Sequence, residues 1–205
     1  MARVNQLLIL PLVAICLIGC SRGPNRVKPP HIDPESAADD AIGLYDSNRN
    51  GSLDAAELAK CPGILLERKA YDADANDSIS CDEIAARIRK LRKHGIGLTR
   101  LNCDVTVNGR GLDDASVEFE PEPYLGDEIK TALGVTNERG IAQMAIPDAE
   151  LPADQRGLNA IHYGTYKVRI THPKLKLPAK YNTETTLGYE SRPGDPYATF
   201  SLKVP

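Results

Sequence analysis

This 205-residue chain contains no Cys-x-x-Cys pair, no Gly-x-Ser-x-Gly elbow and no His-Glu-x-x-His helix. Those absences remove the usual zinc-cluster spacing, the hydrolase nucleophile turn and the zinc-protease site. Long runs of basic residues are also missing, which argues against a nucleic-acid partner. The longest apolar run, residues 7–18, falls short of the roughly 20 residues a membrane-spanning helix needs. With no Trp and two Phe, aromatic surface rests on eight Tyr. Of these, Tyr181, Tyr189 and Tyr197 either line a glycan or peptide surface or cover a core. The four histidines, His31, His94, His162 and His172, are scattered. His162 and His172 flank one expected strand and read as solvated surface residues, the alternative being a site shared with a carboxylate such as Asp148. Catalysis is unsupported, and the chain reads as non-enzymatic.

What is present is oxygen. In residues 46–57, side chains able to bind a hard cation stand at positions one, three, five, nine and twelve: Asp46, Asn48, Asn50, Asp54 and Glu57. The carbonyl of Ser52 serves position seven, and Gly51 takes the sixth, where the backbone turns left-handed. Residues 72–83 repeat the arrangement with Asp72, Asp74, Asn76, the carbonyl of Ser78, Ser80 and Glu83, and with Asp77 in place of the glycine. Leu53 and Ile79 occupy the apolar eighth place of each segment. Calcium takes six to eight oxygens at about 2.3–2.6 Å, so a short loop with ligands at alternate positions can wrap one ion. These two segments resemble EF-hand loops, which implies two Ca2+ sites. The loop starts lie 26 residues apart, shorter than in the family's calcium sensors, so the resemblance is to compact bacterial hands rather than to a switch. Ala38, Ala41, Ile42 and Tyr45 before the first loop, and Ile84, Ile88 and Leu91 after the second, recur at helical spacing. Pro62 and Gly63 interrupt the connection, ending one helix near Lys60 and leaving a short helix with Leu65, Leu66, Ala70 and Tyr71.

The amino terminus bears on place. Arg3 precedes the apolar run, and Leu17-Ile18-Gly19-Cys20 resembles a bacterial lipobox. That resemblance implies cleavage before Cys20, lipidation of Cys20, and anchoring in a bacterial envelope, with the outer membrane favoured because Ser21 follows. Cleavage would remove one positive charge, Arg3, of 25, leaving 24 Lys and Arg against 28 Asp and Glu, a formal charge of −4. Residues 20–34, with four prolines, read as an extended tether.

From about Leu98 the helical period gives way to alternation. Leu101, Cys103, Val105 and Val107 lead to a turn at Asn108-Gly109; Ala115, Val117 and Phe119 follow, then Ile141, Met144 and Ile146, then Tyr166, Val168 and Ile170, and finally Phe200 and Leu202. Residues 124–133 and 173–193 read as long loops. The order of Val105-Thr106-Val107-Asn108-Gly109, Ala115 to Phe119, Gly134-Val135-Thr136 and Gly164 to Ile170 resembles the carboxypeptidase regulatory-like domain, implying a transthyretin-like β-sandwich. The expected fold is thus α+β and multidomain: a leader at 1–19, the tether at 20–34, a helical EF-hand pair at 35–95, and an antiparallel sandwich at 98–205. Besides Cys20, the cysteines left after the leader are Cys61, Cys81 and Cys103, and a Cys61–Cys81 disulfide is one of three open pairings. The expected role is a calcium-binding, lipid-anchored scaffold or binding module with an envelope protein or glycan partner. The alternative is a calcium-dependent accessory subunit of an envelope hydrolase.

Overall fold

A computed structural model describes residues 27–204. The leader, the lipobox and Cys20 lie outside the described residues. Helix α1 (Pro34–Tyr45) begins where Asp33 caps it, its side chain accepting from Ser36 N, with Pro34 pre-set for the first turn. Its small buried face, Ala37, Ala38 and Ala41, allows close approach to α5 (Cys81–Arg92). Between them lie β1 (Ser52–Leu53), α2 (Ala55–Leu58), α3 (Pro62–Leu66), α4 (Arg68–Tyr71) and β2 (Ile79–Ser80). The helix expected to carry Leu65 through Tyr71 is two, α3 and α4, broken at Glu67. Residues 27–33 carry no regular secondary structure and are packed at both ends rather than free: Gly97 N–H donates to Val27 O at 2.9 Å, and Ile32 is buried.

The remainder forms two four-stranded sheets. One contains β3 (Asn102–Val107), flanked by β10 (Tyr197–Leu202) on one side and by β4 (Arg110–Gly111) and β7 (Ile141–Gln143) on the other. The second runs in the order β6 (Ala132–Val135), β5 (Ser116–Pro121), β8 (Gly164–Thr171), β9 (Gly188–Ser191). The core lies between these sheets. Phe119 is its hub, meeting Tyr166, Tyr189 and Phe200 edge-on at centroid distances of 5.9, 5.5 and 6.1 Å. Edge-to-face geometry sets the positive ring edge against the negative face of a neighbour.

Side chains alternate across a strand, so Tyr166, Val168 and Ile170 of β8 enter this core while Thr165, Lys167 and Arg169 face the other way. Thr165 is paired in register with Glu190, and Lys167 with Gly188. The helices cover that part of the outer face. A Cβ on Gly63 would lie 2.9 Å from Thr165 Cβ, and one on Gly188 would lie 2.0 Å from Pro62 O. One continuous cluster of buried residues runs from Ala38, Leu58, Ile64 and Ile84 through to Val105, Phe119 and Leu202.

This architecture corrects the expected α+β multidomain fold of a helical EF-hand pair followed by an antiparallel transthyretin-like β-sandwich. Among the described residues, ten strands in three sheets dominate, and the five α-helices are short, two of 12 residues and the others of four or five. Helices of one turn cannot bury an apolar face among themselves, so they bury it on a sheet. Nor are the sheets wholly antiparallel, because β10 runs parallel to β3 from Tyr197↔Asn102 to Leu202↔Val107. The chain returns to the first sheet from β9 of the second, so the last strand enters beside β3 in the same direction. The two segments expected as long loops also carry structure. Residues 124–133 bury Tyr124, Leu125 and Ile129 and start β6, and residues 173–193 contain β9, buried at all four positions. Among the described residues, no helix is long and apolar enough to cross a membrane.

Candidate metal centre

The two oxygen-rich segments adopt the same backbone. Each has left-handed residues at positions four and six: Arg49 and Gly51 at φ 60° and 84°, Ala75 and Asp77 at 58° and 65°. In each, the first carboxylate ties down the turn. Asp46 Oδ1 accepts from Asn50 N at 3.2 Å and its Oδ2 from Gly51 N at 2.8 Å; Asp72 Oδ1 accepts from Asn76 N and its Oδ2 from Asp77 N, both at 3.0 Å. The third and fifth positions follow suit. Asn48 Oδ1 accepts from Asn50 N at 3.0 Å and Asp74 Oδ1 from Asn76 N at 3.1 Å, while the amide oxygens of Asn50 and Asn76 accept from Ser52 N and Ser78 N.

The last carboxylate closes each loop. Glu57 Oε1 accepts from Ser47 N at 2.7 Å and Oε2 from Asp54 N at 3.1 Å; Glu83 repeats this with Ala73 N at 2.7 Å and Ser80 N at 2.8 Å. Both are halves of capping boxes, with Asp54 capping α2 and Ser80 capping α5. One glutamate therefore starts a helix and points an oxygen-bearing side chain back to the beginning of its loop. The loops are joined by antiparallel pairing of Leu53 with Ile79 and of Ser52 with Ser80. Both apolar side chains are fully buried, which fixes the loops relative to each other.

Asp72, Asp74 and Glu83 each offer a carboxylate oxygen within 4.8 Å of the others. In the first loop, amides replace one of these carboxylates, Asn48 standing where the second has Asp74. The side chains at positions one, three, five, nine and twelve of both loops are carboxylates, amides or a hydroxyl, and hard oxygen donors of this kind would suit Ca2+ or Mg2+ rather than zinc. Cys81, inside the second segment, does not join them, since its thiol donates to Asp39 Oδ1 at 3.1 Å. Burial raises the Glu83 carboxyl, yet hydrogen bonds from the backbone of Ser80, Ala73 and Asp74 and from the Ser80 hydroxyl outweigh it, holding Glu83 below its ordinary value. Those donors keep it ionised, as a cation ligand must be.

Elsewhere the expected chemistry is dispersed. His162 is buried rather than solvated, its Nδ1 2.9 Å from Gly97 O, and burial lowers its pKa. Nδ1 of His172 accepts from Lys174 N and Leu175 N, and Asp148 accepts from Gly157 N. Tyr181 and Tyr189 are buried and Tyr197 is exposed. Cys61, Cys81 and Cys103 are all free thiols, so the Cys61–Cys81 pairing is not made.

Sequence reasoning missed a group of polar residues beneath the helices. Glu122, the residue just past β5, and Glu190 in β9 are 0% and 1% exposed. Tyr45 Oη donates to Glu122 Oε2 at 2.8 Å, and Arg87 Nε donates to Glu190 Oε2 at 2.9 Å. Their only trace in the sequence is that Tyr45 and Tyr71 stand immediately before the two loops. No protein-family model, curated protein or solved structure matches this chain.

Proposed function

We propose that this is a calcium-binding envelope protein, anchored through lipidated Cys20, that acts as a non-enzymatic scaffold or binding module. The calcium reading is carried by one observation: two segments of different sequence fold into the same oxygen-lined turn, back to back. Left-handed residues fall at the same two positions of each, and a helix-starting glutamate closes each one. Such loops resemble EF-hands in their ligand spacing, and each would supply three carboxylates, enough to neutralise one divalent ion with charge to spare. The anchor is supported by the lipobox-like Leu17-Ile18-Gly19-Cys20, and the β-rich remainder, built on one continuous buried core, is the body such a scaffold would use.

Isothermal titration of the mature chain with CaCl2 tests the first part. Two binding events are expected, at about 0.1–1 mM if the sites work as extracellular modules do. Glu57→Gln and Glu83→Gln should each remove one. Heat changes that are the same in both variants as in the parent would end the calcium reading. For the anchor, Cys20→Ala should abolish labelling by a radioactive fatty acid, and retained label would overturn it.

A further inference from the structure

Each loop is continuous with a side chain that grips the sheet. Tyr45 directly precedes Asp46, and its hydroxyl donates to Glu122 Oε2 at 2.8 Å. The other oxygen of Glu122 accepts from Gly63 N–H at 3.3 Å, and Lys167 Nζ stands 3.5 Å from the carboxylate and 5.7 Å from the Tyr45 ring centroid. In the second loop Tyr71 directly precedes Asp72. Arg87, one helical turn beyond Glu83, lies 5.6 Å from the Tyr71 ring centroid and forks onto Glu190. Both carboxylates are out of water and draw partners from the helical layer, so detaching that layer would strip each of its hydrogen bonds.

Geometry connects these grips to the ion ligands. A calcium ion holds its oxygens within about 2.3–2.6 Å. Asp46 is one peptide bond from Tyr45, and Glu83 shares one rigid turn of α5 with Arg87. Fixing the ligands therefore fixes the aim of the Tyr45 hydroxyl and of the Arg87 guanidinium. In the second loop the carboxylate oxygens of Asp72, Asp74 and Glu83 lie within 4.8 Å of one another in the same conformation that closes both grips.

We propose that calcium occupancy of the loops and docking of the helical layer on the sheet are coupled, with Tyr45–Glu122 and Arg87–Glu190 as the latches. Calcium tightens the layer against the sheet, and intact latches tighten calcium. The inference rests on the calcium reading above. Linkage makes it reciprocal: whatever factor the latches contribute to calcium affinity, calcium returns to the latches.

Two variants break the latches without touching a ligand. Tyr45→Phe keeps the ring and removes the donor; Arg87→Met combined with Glu190→Gln removes both charges of the other pair. Calorimetric titration of the mature chain with CaCl2 should show each variant binding about fivefold or more weakly than the parent, the lower end of typical coupling. In the parent, CaCl2 should slow hydrogen exchange at the Gly63 amide relative to EDTA. Unchanged affinity in the variants, or Gly63 exchange indifferent to calcium, overturns the coupling while leaving the calcium reading intact. A parent chain that takes up no calcium overturns both. If the double variant does not fold, Tyr45→Phe and the Gly63 amide decide the matter alone.

Discussion

Arg87 and Glu190 stand 103 positions apart in the sequence and meet with Nε 2.9 Å from Oε2, their side chains 8% and 0% exposed. The hydrogen bond to Glu190 holds the guanidinium pKa above even its ordinary value. A buried pair of this kind roughly offsets its own desolvation, yet removing one member leaves an uncompensated charge, at a cost of about 3–5 kcal/mol. Arg192, 4.0 Å from Glu190, is too distant to take over the bidentate role. Urea unfolding of Arg87→Met should therefore show a loss at the low end of that range, and adding Glu190→Gln should recover most of it. A single variant within about 0.5 kcal/mol of the parent, the usual scatter of surface changes, would mean that the pair does not hold the layers together.

Gly188 marks how closely the layers approach. An added Cβ would sit 2.0 Å from Pro62 O and 2.5 Å from Gly63 N, and backbone atoms cannot move aside as a side chain can. Gly188→Ala should cost about 1–3 kcal/mol, in line with other overpacking changes. Gly43 in α1 meets nothing within 4 Å, and Gly43→Ala should stabilise by about 0.5–1 kcal/mol because alanine loses less entropy in a helix. Thermal melts of the two variants should shift in opposite directions. A Gly188→Ala melt that does not fall would mean that α3 yields easily.

Glu122 gives the interface a pH dependence. Burial raises its carboxyl above the ordinary 4.5, and Lys167, Tyr45 and Gly63 pull it down without cancelling the shift. An acid raised in the folded state binds more protons folded than unfolded. Its contribution to stability is thus complete below the unfolded value and is lost as pH rises through the folded one. Glu122→Gln cannot ionise, so the stability of the parent relative to this variant should fall as pH climbs from about 4.5. Denaturant midpoints across that range measure the difference directly, and parallel profiles would show that Glu122 does not titrate there.

The turns of the two loops were legible because every oxygen-bearing position lies within one short segment and the pattern is local. Strands β3, β5, β8 and β10 were legible for a similar reason, since Val105, Phe119, Val168 and Phe200 alternate with polar neighbours. Long-range choices left no such mark. The parallel pairing of β10 with β3 depends on which sheet the chain re-enters after β9, and nothing in residues 197–202 encodes it. Strand β9 was hidden because Gly188, Glu190 and Ser191 read as loop residues; Glu190 is buried only because Arg87 arrives from a helix far away in the chain. Glu122 was hidden in the same way, a charge beside a proline that a linear reading gives to solvent.

Gly51 separates backbone strain from every other effect in the first loop. Its φ is +84°, its N–H donates to Asp46 Oδ2 at 2.8 Å, and an added Cβ would meet nothing within 4 Å. Gly51→Ala thus introduces no clash and no lost side chain, only the left-handed penalty of about 1–2 kcal/mol for an L-residue. At about 1.4 kcal/mol per factor of ten, the first loop should bind calcium roughly five- to thirtyfold more weakly. Asp77 already occupies the equivalent place in the second loop at φ +65°, where its short side chain pairs with Arg68. The second loop should therefore keep its affinity, apart from what it loses through the Leu53–Ile79 pairing. In a calorimetric titration of Gly51→Ala, one of the two events should weaken by that factor while the other moves much less. An unchanged titration would show that the ion does not require the turn at position six, and equal weakening of both events would show that the two loops bind as one unit.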